Sequence, residues 1–477
     1  MVFLLRACVS PPLFLYPKNT RKSLHVSDNF RGIALSSIIG KVIDLVILDH
    51  NREILMSTEL QFAYKQHHST IQCSFIADEV IQYYCNASGN VFALMLDATK
   101  AFDRVEYVKL FKVLISKGLC PLIVRFLALL YTSQRVKVRW SDYISNSFPV
   151  SNGVKQGGVL SPILFVAYYD ELLIRLKNSG VGCYIGNNFI GSLSYADDIL
   201  LLAPSRVALR AMMDICTKYS KEFNVLFNPS KSKLFVFGDK VRCDNFHYNG
   251  DVIEYAHKDV YLGTVFGKDK SRSQVDRAVS DLYSRCNLLL AQFGKAFSSI
   301  KYKLFKSYCM SLYGCVLWDF SLPHVKKFYT AWRKCVRRIF NIPNNTHCRF
   351  LNLLCGDLPV ESQVYLRFLK FLRQCIFSSN GCLRLCSKLA LQGSRSQVSD
   401  FINYICSVYN ISKFKIANLS TNDLVEIVND TSKSSTSQND IVIVNVISDL
   451  VSARDQRDFS FLSPAEIQDM LVTLCTE

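Results

Sequence analysis

Apolar and polar positions follow two patterns along the chain, one with the period of a helix and one typical of short buried strands. Helical spacing predicts a helix in the second half of residues 27–55 and another that follows the polar residues 61–70 and ends at residue 84. It also predicts helices over residues 105–117, 122–131 and 204–222. Apolar runs predict strands at residues 91–96, 135–140, 189–195, 199–203, 234–237 and 261–266. The first 270 residues therefore mix helices and strands.

The rest of the chain has a different pattern. Residues 271–340 are basic and largely helical, and they interleave Lys and Arg with Tyr, Phe and Trp. Residues 431–440 (TSKSSTSQND) are polar and predict a linker. A small acidic tail, residues 441–477, follows this linker.

The charge indicates a polyanionic partner. The 477 residues carry a formal net charge of +17, with 49% hydrophobic and 20% charged residues, which is a globular composition. Residues 264–340 hold fifteen Lys or Arg and four acidic residues, whereas residues 421–477 hold ten acidic and three basic residues. A nucleic acid, an anionic membrane surface or ribosomal RNA would fit this charge, and would lie along the middle of the chain.

The 18 cysteines are scattered, without a CxxC pair or the Cys/His spacing of a zinc ribbon. We interpret them as reduced, mostly buried thiols of a protein in a reducing intracellular compartment. The alternative is an irregular metal site built from Cys335, His347, Cys348 and Cys355.

The apolar runs do not predict a membrane span. The run at residues 119–131 is too short to cross a bilayer, and Arg125 interrupts it. Residues 1–16 lack the basic start of a signal peptide, and Arg6 lies in their middle. We therefore expect no membrane partner.

Carboxylates stand directly at the ends of two predicted apolar strands. Asp97 follows residues 91–96 (VFALML), and Asp197 and Asp198 lie between the strands of a predicted hairpin. Charges beside buried strands are costly unless compensated, and adjacent carboxylates raise each other's pKa. Mg²⁺ is a simple compensation, because it prefers oxygen ligands and keeps positions for substrate phosphates. Two such ions would suit nucleotidyl transfer, although an Asp-Asp pair alone is usually a solvated turn.

Three motifs resemble those of reverse transcriptases. Residues 195–198 (YADD) resemble the catalytic box, and residues 97–103 (DATKAFD) resemble the first catalytic motif in its LINE and group II intron form. Residues 153–162 (GVKQGGVLSP) resemble the motif between them, in the same order and spacing. Weaker matches lie at residues 29–33, 61–70, 228–233 and 261–263. The chain thus resembles the reverse transcriptase of a LINE-type (non-LTR) retrotransposon.

The resemblance implies an α+β, right-hand polymerase fold. A reverse transcriptase domain would span residues 1–270, with fingers at about 15–90 and a ferredoxin-like antiparallel palm at about 91–270. A helical basic thumb would follow at 271–345, and a helical C-terminal region at 346–430. Gly32 replaces a proline usual in the fingers and Ala63 a usual glycine, which we expect to loosen the fingers.

The implied activity is RNA-directed DNA polymerisation, in which a primer 3′-hydroxyl is extended with dNTPs by two-metal nucleotidyl transfer. The cofactors would be two Mg²⁺ ions, or Mn²⁺ in their place. The partners would be an RNA template, a DNA primer or target DNA, and dNTPs. A nuclear location is expected, because the target of such elements is chromosomal DNA.

The resemblance also assigns catalytic roles. Asp97, Asp197 and Asp198 would be catalytic metal ligands, with the backbone carbonyl of Ala98 as a further ligand. Lys231 would contact the triphosphate and donate a proton to the leaving pyrophosphate, with its neighbour Lys233 as the alternative.

Further residues would bind the substrates. Phe102 would pack under the incoming sugar and leave no room for a 2′-hydroxyl, while Gln156 and Gly157 would lie against the nascent base pair. Arg31 would hold the triphosphate, and Lys18 is a second candidate cation in the fingers. The residues expected to bind primer and template are Tyr261, Leu262, Gly263, Arg333, Lys334, Arg337 and Arg338.

Two other interpretations remain open. A group II intron maturase-like reverse transcriptase is disfavoured because its maturase and HNH patterns are absent from the sequence. LINE proteins normally carry an endonuclease before the reverse transcriptase, whereas only about 15 residues precede the first fingers motif here. We therefore expect a truncated copy, and a catalytically silent nucleic-acid-binding remnant is the alternative function.

Overall fold

A computed structural model describes residues 12–18, 23, 25–26, 29–238, 245–268, 270–433, 437–456 and 463–476. The chain divides into two compact units, Met1–His257 and Lys258–Glu477. The first unit mixes sheets and helices and the second is mainly helical. The expected α+β class is therefore confirmed.

The first unit contains thirteen described strands and six α-helices. The strands are β1 (Pro12–Pro17), β2 (Phe30–Ala34), β3 (Val91–Leu96), β4 (Arg135–Trp140), β5 (Tyr143–Ile144), β6 (Phe148–Pro149), β7 (Tyr184–Ile185), β8 (Asn188–Phe189), β9 (Ser192–Tyr195), β10 (Asp198–Ala203), β11 (Lys233–Phe237), β12 (Phe246–Tyr248) and β13 (Asp251–Tyr255). The helices are α1 (Ile38–His50), α2 (Thr70–Asn86), α3 (Tyr107–Ser116), α4 (Pro121–Thr132), α5 (Ser161–Asn178) and α6 (Arg206–Phe223). The helices predicted at residues 105–117, 122–131 and 204–222 are thus confirmed.

A six-stranded sheet forms the centre of this unit, in the order β12-β13-β11-β3-β10-β9. The strand β3 is almost fully buried between β10 and β11, which explains its continuous apolar sequence. Helices α5 and α6 supply large buried rings, among them Phe165, Tyr168 and Tyr219. The sheet departs from the predicted antiparallel palm in one pair, because β11 and β13 run parallel.

A second sheet combines segments that are far apart in sequence. Strand β1 pairs antiparallel with β2 and parallel with β4, and β5 and β6 both pair with β4. Gly32 lies inside β2, opposite Leu15. The sheet is therefore not confined to residues 15–90, where the fingers were expected.

The second unit begins with a hairpin and continues as helices. The strands are β14 (Lys258–Tyr261) and β15 (Thr264–Gly267). The single strand predicted at residues 261–266 is wrong, because Leu262 and Gly263 form the turn with φ of +47° and +82°. The helices are α7 (Lys270–Phe293), α8 (Ser298–Leu304), α9 (Lys326–Phe340), α10 (Cys348–Cys355), α11 (Val360–Ile376), α12 (Gly381–Gln392), α13 (Gln397–Tyr409), α14 (Lys413–Asn418), α15 (Thr421–Lys433), α16 (Gln438–Gln456) and α17 (Pro464–Thr476).

The end of the chain belongs to the fold of the second unit. Helix α15 extends to Lys433 and α16 begins at Gln438, so both helices reach into the linker predicted at residues 431–440. Helix α16 buries Val444 and Ile447, and Arg349 of α10 forms an ion pair of 3.1 Å with Asp440. The acidic tail is therefore packed against preceding helices.

The sixteen described cysteines are free thiols, and most of them are buried. The expectation of mostly buried thiols is thus confirmed for the described cysteines. Within the described ranges, Cys335, His347, Cys348 and Cys355 do not come together as a metal site. The described helices include none with the length and apolar character needed to cross a membrane.

Candidate active site

The sheet register brings the predicted catalytic carboxylates to one edge of the central sheet. Leu96 pairs with Ile199 across β3 and β10, so continuing the register by one residue places Asp97 opposite Asp198. Asp198 also pairs with Tyr195, and Ala196 and Asp197 form the tight turn between them. Ala196 has a φ of +57°, a left-handed conformation that non-glycine residues seldom adopt.

The surroundings of these carboxylates disfavour negative charge. Burial raises the pKa of Asp197, with a further contribution from the Asp97 carboxylate, while Arg31 and Lys231 oppose the shift. Burial, and then the charges of Asp197 and Asp97, raise the pKa of Asp198 to about 6. A cation would relieve this repulsion.

A cavity of about 730 Å³ opens beside the carboxylates within the first unit. Among the predicted site residues, the lining includes Lys18, Arg31, Asp97, Ala98, Phe102, Gln156, Gly157, Asp197 and Lys231. Asp198 does not line it. The cavity thus brings together residues from β2, the end of β3, the 153–158 turn and the β9–β10 hairpin.

The structure distinguishes Lys231 from its neighbour Lys233. The Lys231 Nζ lies 3.4 Å from Asp97 Oδ2, and the Asn228 amide donates to the Asp97 carbonyl at 2.8 Å, which fixes this loop beside the carboxylate. Lys233 instead forms an ion pair of 2.8 Å with Glu254. Of these two neighbours, Lys231 is therefore the one that lines the cavity.

The aromatic wall of the cavity has a rigid support. Phe102 is half-buried, and its ring stacks on that of Phe165 with 4.2 Å between centroids and 14° between planes. Phe165 is fully buried in α5. The ring of Phe102 is therefore held in one orientation at the cavity surface.

The glycine-rich turn contacts β2 closely. The Ala34 amide donates to the Gln156 carbonyl at 2.8 Å, and Gly157 has a φ of +103°. A Cβ on Gly157 would lie 2.7 Å from the Ala34 carbonyl oxygen. Glycine is required here both by its conformation and by the approach of β2. The turn thereby links Gln156 to the strand that carries Arg31.

The three carboxylates have the oxygen donors that a divalent cation requires. Within the described part of the chain, no three His, Cys, Asp or Glu side chains converge closely enough to hold a metal ion as they stand. The Asp97 carboxylate nevertheless lies near enough to raise the pKa of Asp197, and the two together raise the pKa of Asp198. The oxygens of these carboxylates are the ligands that Mg²⁺ prefers. The three carboxylates therefore fit a divalent cation chemically. To hold it, their side chains must rotate inward and the ion pair between Lys231 and Asp97 must open.

Sequence reasoning did not assign site roles to Tyr64, Lys100, Asp103 and Lys155, which also line the cavity. Burial and the Asp197 charge raise the pKa of Tyr64. Lys100 lies within the DATKAFD motif and Lys155 within GVKQGG. Their positions inside motifs that carry predicted site residues were the available signal.

The predicted primer-binding motif lies in the second unit. Tyr261 is buried, and Leu262 and Gly263 form the β14–β15 turn. The Tyr313 hydroxyl donates to the Leu262 carbonyl at 2.5 Å, and its ring would meet a Cβ on Gly263 at 3.0 Å. Tyr313 therefore fixes the shape of this turn.

The basic cluster of α9 does not form one exposed face. Arg337 is buried and donates to the Thr346 carbonyl at 2.6 and 3.1 Å, so its expected contact with nucleic acid is contradicted. Arg333 forms an ion pair with Glu361, and Arg338 donates to Asn287 at 2.7 Å. Lys334 is exposed.

Residues 16–266 match the family model described as "Reverse transcriptase (RNA-dependent DNA polymerase)". The match covers more than half of the chain and contains the whole of the cavity described above. This chain belongs to the reverse transcriptase family. The resemblance found in the motifs at residues 97–103, 153–162 and 195–198 is thus confirmed.

Relatives of this reverse transcriptase come from non-LTR retrotransposons. It is 25% identical over 186 residues to the Pol polyprotein from type-2 retrotransposable element R2DM of Drosophila melanogaster, covering 39% of this chain and 18% of that protein. It is 26% identical over 338 residues to a probable RNA-directed DNA polymerase from transposon X-element of the same organism, covering 65% of this chain and 35% of that protein. The chain therefore spans about a fifth to a third of these relatives' length.

Among solved structures, the reverse transcriptase is similar to a telomerase from Candida albicans in complex with a fragment of telomeric RNA. The two share 12% sequence identity and a TM-score of 0.41, over 94% of this chain and 65% of that one. The family assignment rests on the sequence match, not on this similarity.

Proposed function

We propose that this chain is an RNA-directed DNA polymerase that extends a primer 3′-hydroxyl with deoxynucleotides. The observation that carries the proposal is the shared cavity: Asp97 and Asp197 face the same space as Phe102 and the cations. Carboxylates, cations and a bulky aromatic ring are the groups needed to bind a metal-complexed nucleoside triphosphate that lacks a 2′-hydroxyl.

The carboxylates would hold two divalent ions. Asp97, Asp197 and Asp198, with the Ala98 carbonyl, would bind Mg²⁺ or Mn²⁺, whose chemistry is activation of the attacking oxygen and neutralisation of the leaving pyrophosphate. The raised pKa values of Asp197 and Asp198 describe the site without such ions. Binding of cations would favour the ionised carboxylates.

The cations of the cavity would bind the triphosphate. Arg31 projects from β2, and Lys18 follows β1, whose end is fixed by the Lys18 amide donating to the Asn29 carbonyl at 2.7 Å. Lys231 balances Asp97 in the free protein. In the complex its ammonium would contact the triphosphate instead and donate a proton to the departing pyrophosphate oxygen.

Sugar selection would fall to Phe102. Its ring is held by Phe165, so it has little freedom to move away from a 2′-hydroxyl. Gln156 and Gly157 would lie against the new base pair, where the missing side chain of Gly157 permits close approach. The template would be RNA, as in the relatives named as RNA-directed DNA polymerases.

Primer extension tests the proposal. The purified chain and its Asp197→Ala variant are compared on an RNA template with dNTPs and Mg²⁺, with Asp214→Ala as the control because Asp214 is exposed on α6 and lines no part of the cavity. Extension by the parent and by the control, but not by Asp197→Ala, is expected. Retained template binding without extension by any of the three would leave a catalytically silent remnant.

A further inference from the structure

Gln61 is a fully buried amide beside the β9–β10 hairpin. Residues 60–62 run beside β9 as an additional edge: the Phe62 amide donates to the Ser194 carbonyl at 2.9 Å, and the Ser194 amide donates to the Leu60 carbonyl at 2.8 Å. This pairing fixes the backbone from which the Gln61 side chain projects.

Both polar atoms of the Gln61 amide bind the same turn residue. The Ala196 amide donates to Gln61 Oε1 at 2.9 Å, and Gln61 Nε2 donates to the Ala196 carbonyl at 3.1 Å. The Ser194 hydroxyl accepts from Gln61 at 3.0 Å and donates to the same Ala196 carbonyl at 3.0 Å. The two peptide groups of Ala196 are thereby fixed from one direction.

The position of Ala196 matters because Asp197 is the next residue. Ala196 has a left-handed backbone that alanine does not favour, so the turn depends on its surroundings to keep this shape. An apolar group in place of the Gln61 amide would remove these hydrogen bonds. The turn could then relax, and the Asp197 carboxylate would move with it.

We infer that Gln61 is a positioning residue for Asp197: its amide fixes the left-handed Ala196 turn and so sets where the Asp197 oxygens are presented to a divalent cation. The inference rests on the proposed function. Outer groups that orient metal ligands in this way typically change metal affinity or activity by about 10- to 100-fold when they are removed.

The competing explanation is that Gln61 only stabilises the fold. Gln72 provides a matched control, because it is equally buried and also uses both amide atoms, accepting from the Ser69 amide at 3.0 Å and donating to the His67 carbonyl at 3.1 Å. Gln72 lies on α2, and these two bonds go to Ser69 and His67, outside the hairpin of residues 192–203. Gln61→Leu and Gln72→Leu therefore each remove a buried amide with hydrogen bonds at both of its polar atoms, one beside the hairpin and one on α2.

The experiment measures Mn²⁺ binding by electron paramagnetic resonance, together with kcat and KM for dNTPs in primer extension. In Gln61→Leu we expect Mn²⁺ affinity and kcat to fall by about 10- to 100-fold with KM changed by less than about threefold. In Gln72→Leu the Mn²⁺ affinity and kcat should stay at the parent values, even if the thermal melting temperature of this variant falls. Parent-like Mn²⁺ affinity in folded Gln61→Leu would overturn the inference.

Two further variants decide the matter if Gln61→Leu fails to fold. Gln61→Glu keeps the acceptor for the Ala196 amide and loses the donor, and Ser194→Ala removes one donor to the Ala196 carbonyl together with the hydroxyl that accepts from Gln61 Nε2. We expect weaker Mn²⁺ binding in both, and parent-like binding in both would refute a positioning role. If the parent protein binds Mn²⁺ through Asp197 but extends no primer, the proposed function is contradicted, and the Mn²⁺ affinities of the variants alone decide the inference. If the parent protein does not bind Mn²⁺, the inference is overturned as well.

Discussion

The ring of Phe102 lies flat on the ring of Phe165, with 4.2 Å between their centroids. Phe165 is buried in α5 among other aromatic rings, including Tyr169, whose centroid is 4.6 Å away. The residue at the cavity surface is therefore the outermost member of an aromatic stack. Its orientation depends on the core behind it, not only on its own backbone.

We expect Phe102→Val to reduce the preference for dNTPs over rNTPs by about 10- to 100-fold, because removing the ring opens space for a 2′-hydroxyl. The measurement is the ratio of kcat/KM for the two substrates. Phe111→Val is the control, since Phe111 is also a half-buried aromatic residue but lies on α3 outside the cavity lining. An unchanged ratio in Phe102→Val would argue against its role in sugar selection.

Gly157→Ala should lower the free energy of unfolding by about 2–3 kcal/mol, because the new Cβ would clash with the Ala34 carbonyl as well as strain the backbone. Gly118→Ala is a matched control: its φ is +91° and no atom lies within 4 Å of the added Cβ. Only the backbone strain of about 1 kcal/mol should remain there. Equal losses in chemical denaturation would show that contact with β2 is unimportant.

Lys231→Ala should lower kcat by about 100-fold, since it removes the proposed proton donor beside Asp97. Lys233→Ala should leave kcat near the parent value, because Lys233 is paired with Glu254. The comparison is made by single-turnover primer extension at saturating dNTP. Equal effects of the two substitutions would contradict the assignment of Lys231.

Asp198→Asn should stabilise the metal-free protein at about pH 7.5. The pKa of Asp198 is raised from 3.8 to about 6, so the folded state binds this proton more tightly than the unfolded state. Stability therefore rises as the pH falls through about 6, and the benefit of the substitution disappears near pH 4. Because the residue is partly exposed, we expect a gain of only about 1 kcal/mol at pH 7.5.

Urea denaturation without divalent ions, at both pH values, measures this difference. Asp214→Asn is the control and should show no pH-dependent gain. A gain in Asp198→Asn that persists unchanged near pH 4 would contradict the electrostatic cause.

Arg337→Ala should destabilise the second unit by about 2–3 kcal/mol, because it leaves the buried Thr346 carbonyl without its donor. Lys334→Ala should instead leave stability unchanged and reduce by about one the slope of log affinity for primer-template against log salt. Thermal melting and salt-dependent binding separate the two. A stable Arg337→Ala variant with weakened binding would restore the interpretation drawn from the sequence.

The sequence was informative where one local pattern determines the outcome. Continuous apolar residues predicted β3 and β10 because both strands are buried on two faces. Since the two strands are antiparallel, the carboxylate after β3 and the carboxylates at the start of β10 meet at one edge of the sheet. The site residues of the DATKAFD and GVKQGG motifs line one cavity for the same reason. Local sequence motifs and the geometry of a β-sheet were sufficient to predict which of these residues lie together.

Other features depend on tertiary contacts that no local pattern reveals. Leu262 occupies a left-handed turn that leucine rarely adopts, and Tyr313 from a distant segment binds its carbonyl. Arg337 belongs to a dense basic stretch but lies on the buried side of α9. The Gln61 amide finds its partners at Ser194 and Ala196 only after folding.

The parallel pairing of β1 with β4 has a consequence for synthesis of the chain. Leu13 and Val138 are neighbours in this pairing, so the first strand gains this partner only after the ribosome has completed β4. Until then β2 is the one strand, among those that the structure describes, with which β1 can pair, and a two-stranded ribbon is marginally stable in water. Long-range pairing of this kind folds slowly. The β1–β2 ribbon therefore exposes an open edge on the nascent chain, where a chaperone or a wrong strand can bind.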